Sequence, residues 1–455
     1  MIRSPADVWH SLLRPDVELT PAFFDRLAAE MRAERLTFGD RVHCPFLRPF
    51  FLEPADEQRV KKVAETMAAL GERVVAAAME DHRLFADVGL TEGEERLVRM
   101  EPGYSTASTA SRLDAFLHPD SLQFAEYNAE SPAGFGYAES LAELFDRLPV
   151  MDRFRERYDV RRYPSSRSML DALVASYREW GGRASTPVMA IVDWREVPTW
   201  SEFEILQRRF DAAGIPTIIC DPRDLEFDGR VLSGQGRAID LVYRRVLIND
   251  ILARPDECDA LVLAYETRAA CVANTFRCKI PHKKAFFAVL TDDRHRDLFG
   301  RAERDLIARH VPWTRIVAEG KTTRNEKSID LVAYVRQTRE DLVLKPNDEY
   351  GGAGVTLGWE ADAASWDEAL GRALADAPGG WVVQQRIAVR RERFPMARAD
   401  GPAEMQDMLV DLAPYLFRGR LAGFLTRLSA SGLANVTSGG GQVPAFVVEP
   451  RSGPE

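Results

Sequence analysis

The chain has 455 residues, a net charge of −10, 45% apolar residues and 29% charged residues. Its length exceeds what one core usually serves and predicts two or three domains. The acidic balance excludes a general nucleic-acid binder, which needs an excess of Lys and Arg against phosphate, and no apolar run reaches the roughly eighteen residues of a membrane span.

In chain order, the N-terminus "MIRSPADVWHSLLRPDVELT" lacks the apolar centre of a signal peptide, so a cytoplasmic protein is expected. Residues 1–95 read as helical. "TPAFFDRLAAEMRAERL" and "EPADEQRVKKVAETMAALGERVVAAAMEDHRLF" place apolar residues three and four apart, with Thr20 and Asp56 near the helix starts. Residues 96–158 turn strand-like up to about residue 130 and then helical through "YAESLAELFDRLPVMDRFRERY". Residues 159–283 alternate buried strands ("PVMAIVDW", "IPTIICDP", "AIDLVYRRV") with the amphipathic helix "SEFEILQRRFDAAG", the pattern of a βαβ unit with a partly parallel sheet. Residues 284–455 mix strands ("DLVLKP", "GVTLGW", "GWVVQQRI", "RLAGFLTRLS") with helices such as "SWDEALGRALADA". The whole reads as α+β with an α/β unit inside it. The cysteines (Cys44, Cys220, Cys258, Cys271, Cys278) form no CxxC pair and are expected to be reduced and mostly buried. The histidines show no zinc-type spacing and read as structural or exposed.

Three stretches carry chemistry. In "SRLDAFLHPDSLQFAEYNAESPAGFG" two strand-like runs flank the turn-forming "HPDS". A hairpin centred on Asp120, with an odd-numbered loop 119–121, sets Asp114 opposite Glu126 and Arg112 opposite Asn128, all on one face. Asp, Glu and Asn are the hard oxygen donors that magnesium takes, with phosphate oxygens completing the shell; a solvated hairpin face reads the same way. In "DLVLKPNDEYGGAGVTLGW" a strand ends at Lys345, Gly351, Gly352 and Gly354 follow, and a second strand comes at once. That order is neither a P-loop nor a dinucleotide fingerprint, both of which lead into a helix. It is a strand–flap–strand hairpin whose amides and lysine suit an anion, or a plain glycine turn. In "WVVQQRI" an apolar strand ends in Gln384 and Gln385, groups able to read an adenine edge or simply to meet solvent.

Together these stretches become recognisable. "LVLKPNDEYGGAGV" resembles the glycine-rich phosphate flap of ATP-grasp enzymes, and "WVVQQRI" resembles their adenine hinge. "RLSASGLANVTSGGG" is similar to the Arg…Asn…Gly-Gly segment that follows the hinge. An ordinary member then supplies Asp and Glu-x-Asn for magnesium; here these stand near the front, as Asp114 and "EYN". That order resembles the circularly permuted ATP-grasp proteins, including glutathionylspermidine synthase, over about residues 100–445. "PHKKAFFAVLTDD" is similar to their lysine helix, and "DLVYRRVLIND" and "VPWTR" also look like family sequence.

The resemblance implies a permuted ATP-grasp fold with four parts: a helical N-terminal region (1–95), the permuted metal-binding part (96–158), a pre-ATP-grasp-like βαβ domain (159–283), and the subdomains with flap and hinge (284–455). It implies ATP with one or two Mg2+ ions held by Asp114, Glu126 and Asn128. Lys284, with Lys283 second, and Lys345 are the phosphate-binding lysines, Gly351, Gly352 and Gly354 the covering flap, and Gln384, Gln385 and Ile387 the adenine contacts. Arg112, then Arg427 and Asn435, are implied to stabilise the transferring phosphoryl group. Glu130 and "SPAGFG" are expected at the substrate edge, and Arg244 and Arg245 are either a clamp for an acidic substrate or structural. The reaction implied is ligation of a small-molecule or peptide carboxylate to an amine through an acyl phosphate. No amidase segment is recognised. An ATP-binding regulatory or scaffold protein without turnover, and a small-molecule kinase, share the same ATP site. The sequence sets neither the acid, the amine nor the oligomeric state.

Overall fold

The computed structural model describes residues 4–39, 41–349, 351–398, 401–430 and 440–451. The N-terminal region is mainly helical. Thr20 caps the helix Pro21–Ala33, its hydroxyl accepting from the Phe23 amide at 3.3 Å. The longest helix, α1 (Pro54–Glu80), buries Val60, Ala64, Met67, Gly71, Val74 and Ala78 along one stripe. It starts after Glu53, so Asp56 lies in its first turn, where a negative charge suits the helix dipole, rather than at the cap.

Two strands follow, β1 (Ala110–Leu117) and β2 (Leu122–Asn128), then helix α2 (Phe135–Asp146). Next come β3 (Met189–Val192), α3 (Trp200–Ala212), β4 (Thr217–Cys220), β5 (Leu241–Arg244) and β6 (Cys271–Ala273). These four strands form one sheet in the order β6-β5-β3-β4, every pair parallel. The expectation was a partly parallel sheet. Every residue of the four strands is buried, because helices cover both faces, and this is why they read as continuous apolar runs.

After helix α4 (Ala285–Thr291), the strands β7 (Thr314–Ile316), β8 (Leu342–Pro346), β9 (Thr356–Leu357) and β10 (Trp381–Gln385) make an antiparallel sheet in the order β7-β10-β8-β9. The helix Ala363–Ala375 packs Trp366 and Leu370 onto it. The chain closes with β11 (Arg390–Met396), β12 (Glu404–Phe417), β13 (Arg420–Ser429) and β14 (Gly441–Val443). β13 lies along one edge of β12. The other edge is shared: β11 pairs with residues 404–410 and β1 with residues 415–417. One sheet, β14-β13-β12-β1-β2 with β11 alongside, is thus built from segments far apart in sequence. A single apolar core joins α1, this sheet and the hairpin through Val60, Met67, Leu113, Phe124, Leu412 and Leu428. All five cysteines are buried and free. Among the described residues no helix is long and apolar enough to cross a membrane.

Candidate active site

The site begins with an irregularity in the β1–β2 hairpin. Leu117 pairs with Leu122, Phe116 with Gln123 and Ala115 with Phe124. The turn is the two-residue Pro119-Asp120, closed by the His118 amide donating to the Ser121 carbonyl at 2.8 Å, rather than the odd-numbered loop expected. Ala125 is then skipped, and pairing resumes as Asp114–Glu126, Leu113–Tyr127 and Arg112–Asn128. The bulge restores the cross-strand pairs that an odd loop would have given. Its unpaired groups are both used: the Ala125 carbonyl accepts from Lys345 Nζ at 3.2 Å, and the Ala115 amide donates to Asp411 Oδ1 at 3.0 Å.

A solvent-open cleft of about 1000 Å3 lies over this hairpin. Its charged lining is Asp114, Glu126, Glu349, Asp411, Lys284, Lys345, Arg427 and Arg386; its apolar lining includes Phe116, Val343, Leu357, Trp359, Ile387 and Val389. Gly351, Gly352 and Gln385 also line it. The sheet register places Asp411 opposite Arg427, which donates from Nε to Asp411 Oδ2 at 2.7 Å and from Nη2 to Asp114 Oδ2. Burial opposes ionisation of Asp114, yet the Arg112 and Arg427 guanidiniums hold its carboxyl well below the usual range. Burial, with the Asp114 charge adding to it, pushes Asp411 up to about 6. Lys345 is pushed down to about 8, mainly by burial. Asp411, Trp359 and Arg386 were absent from the sequence reading. A lone carboxylate inside the apolar run "MLVDLAPYLF" was the available signal for Asp411.

Several expected roles change. Arg112 does not line the cleft; it lies behind Asp114, donating from Nε to Asp114 Oδ1 at 2.9 Å. Asn128 flanks Glu126, its Nδ2 donating to Glu126 Oε1 at 3.1 Å, without lining the cleft. Lys283 turns away and pairs with Glu94 and Asp348, each at 2.9 Å, so Lys284 is the lysine of the cleft. Gly354 shapes the flap turn: its φ is +70° and a Cβ there would sit 2.6 Å from Pro346 Cγ. Gln384 spends its amide inside the protein, Oε1 accepting from Lys345 Nζ at 2.7 Å and Nε2 donating to Thr314 Oγ1 at 3.1 Å. Gln384 also lines the cleft, where its amide oxygen holds Lys345. The Gln385 amide donates to the Trp313 carbonyl, whereas the main chain of Ile387 has no hydrogen-bond partner among the described residues. Asn435 lies outside the described residues.

Of the two readings left open for Arg244 and Arg245, the contacts favour the structural one. Arg244, 0% exposed, pairs with Glu130 at 3.2 Å and donates to the Val246 carbonyl. Arg245 donates to the Ser131 and Pro132 carbonyls, each at 2.9 Å. Glu130, 1% exposed, is no edge residue; it is tied to Arg244, Lys279 and the Ile248 amide, and despite its burial those cations hold its carboxyl down at about 2.

The donor chemistry fits magnesium shared with a nucleotide. Glu126 and Asp114 oppose each other across the bulged hairpin, and Asn128 stands beside Glu126. Among the described residues no three His, Cys, Asp or Glu side chains form a metal cage. Magnesium characteristically takes one or two carboxylates and completes its shell with phosphate and water.

No family model matches the chain. Uncharacterized proteins of Mycobacterium tuberculosis and Mycobacterium bovis are 25% identical to it over 350 residues, covering 74% of this chain and 59% of theirs, so the chain spans about three-fifths of the length of those relatives. Among solved structures, a glutathione synthetase-like effector from Globodera pallida, in its apo form, superposes with a TM-score of 0.61 at 12% identity, covering 96% of this chain and 99% of that one. The chain shares the overall fold of that protein.

Proposed function

We propose that the chain is an ATP- and Mg2+-dependent carboxylate–amine ligase with a circularly permuted ATP-grasp architecture. The observation that carries this reading is the convergence of two distant segments in one cleft: Lys345, at the root of the glycine flap, bonds the carbonyl of Ala125, 220 residues away, beside the carboxylates of the hairpin. The likeness to a fold described as glutathione synthetase-like supports it.

In this reading the base of ATP lies against Trp359, Ile387 and Val389, with the Ile387 main chain meeting the adenine edge. Lys284 and Lys345 neutralise phosphate charge, and Gly351 and Gly352 cover it. Asp114 and Glu126, with Asn128 beside them, hold the metal. Bound there, Mg2+ supplies charge neutralisation on the terminal phosphates. Arg427 lies at the carboxylates and stabilises charge on the transferring group, while Arg112 orients Asp114. A substrate carboxylate attacks the γ-phosphorus and ADP leaves. The amine then attacks the acyl carbon, losing a proton and expelling phosphate to leave an amide. Phosphoryl transfer of this type asks for positioning and preorganised charge more than for covalent participation by the protein.

The test is ADP release in a screen of acids paired with amines, with the amide product identified by mass. Glu126→Gln is expected to abolish release while the melting transition remains. Full activity in that variant removes Glu126 from the site. Nucleotide binding without ADP release for any pair favours a nucleotide-binding regulatory protein. ADP release with a phosphorylated product and no amide marks a kinase.

A further inference from the structure

Glu202 is a carboxylate buried at the N-terminus of a helix from another lobe. It stands on α3, is 1% exposed, and points at the start of α2. The Gly134 amide donates to both of its oxygens, at 2.8 and 2.9 Å, and the Gly136 amide donates to Oε1 at 2.9 Å. The loop is shaped for this approach. Gly134 has φ +104° and a Cβ there would meet Tyr415 Oη at 2.8 Å; a Cβ on Gly136 would meet Glu202 Cγ at 3.1 Å. Ala133 and Arg112 link this loop to Asp114, which lines the cleft. The Ala133 carbonyl accepts from Arg112 Nη1 at 3.2 Å and from Tyr415 Oη at 2.8 Å. Arg112 in turn donates from Nε to Asp114 Oδ1 at 2.9 Å.

We propose that Glu202 is a positioning residue for Asp114, acting through the 133–136 loop and Arg112 to aim the carboxylate at the metal. The inference rests on the nucleotide–magnesium reading of the cleft. A helix cap alone stabilises α2 and has no reason to alter metal affinity. A carboxylate that fixes the Ala133 carbonyl fixes the guanidinium that orients Asp114. Outer partners of metal ligands characteristically change metal affinity by about 10–100-fold when lost.

The experiment is calorimetric titration of the full chain with the non-hydrolysable analogue AMP-PNP, across a series of Mg2+ concentrations and in EDTA. The proteins are wild type, Glu202→Gln, Arg112→Lys and the double variant. Glu202→Gln keeps the side-chain size but turns an NH2 toward one of the amides. It is expected to raise the half-maximal Mg2+ concentration about tenfold while the affinity in EDTA stays at the wild-type value. Arg112→Lys is expected to shift the Mg2+ dependence in the same way, and the double variant to be no worse than the poorer single one, because both act on one chain of contacts. Should Glu202→Gln not fold, Glu202→Asp, which keeps the charge and shortens the reach, carries the same expectation. An unchanged Mg2+ dependence, an equal loss with and without Mg2+, or additive single effects overturns the inference alone. A wild-type chain that binds no AMP-PNP, or binds it without regard to Mg2+, overturns the inference together with the proposed metal site.

Discussion

Lys345 carries its ammonium group from β8 into the cleft, between the Gln384 amide oxygen and the carbonyl released by the hairpin bulge. Burial pushes its pKa from 10.5 to about 8. A polyphosphate beside it favours the protonated form, so binding takes up a proton wherever Lys345 is neutral. Nucleotide affinity is therefore expected to be full below pH 8 and to fall as the pH rises through that value. Calorimetry in buffers of different ionisation enthalpy reads the proton uptake directly. Lys345→Met should lower nucleotide affinity by about tenfold or more and remove the uptake; a variant that keeps both features removes Lys345 from the phosphate site. At this scale the sequence was readable where residue type and position suffice: a lysine at a strand end, oxygen donors two apart. It was not readable where the deciding partner is distant. Gln384 reads as a base contact until Thr314 and Lys345 claim its amide. Arg244 and Arg245 read equally as a clamp or as structural until Glu130 and the 131–132 carbonyls are seen to take them inward. Asp411 is one carboxylate in an apolar strand, and only the sheet register shows it beside Arg427.

The flap is an element with a fixed root. Asn347 accepts the Ala285 amide at 2.8 Å through Oδ1 and donates from Nδ2 to the Val88 and Gly379 carbonyls, so the flap root is bolted to α4 and to the N-terminal helices. Asp348 pairs with Lys279 at 2.8 Å and with Lys283 at 2.9 Å. Asp348→Ala leaves two buried ammonium groups short of a carboxylate, and an expected loss of about 3 kcal/mol follows, read by denaturant unfolding. A change within experimental scatter would show that Glu94 and Glu130 alone satisfy both lysines. The hairpin teaches a different lesson about legibility. Strand alternation identified which residues share a face, and opposition of Asp114 to Glu126 and of Arg112 to Asn128 is present in the structure. The means were not legible, because a bulge at Ala125 is invisible to a period-two pattern and only its effect on register survives.

At the scale of the whole molecule, the sheet under the cleft is made by residues 110–117 and 122–128 together with 390–396, 404–417, 420–429 and 441–443, with the parallel βαβ unit and the flap lobe between the two groups in sequence. A chain stopped after residue 403 retains Asp114, Glu126, Lys284 and Lys345 yet loses β12, the strand on which β1 is paired. Such a chain is expected to unfold without a cooperative transition and to bind no nucleotide; preserved binding by calorimetry would show that the hairpin holds its shape alone. Alternating strand and helix signalled the parallel sheet, but nothing local to either half of the split sheet announces its partner. The split also sets a timetable for synthesis. β1 and β2 have no third strand until residues 404–417 have been made, and that late, long-range pairing closes a very large loop. A nascent chain carries an open strand edge until then, and slow maturation with reliance on chaperones during expression is the expected consequence of how far β12 follows β1.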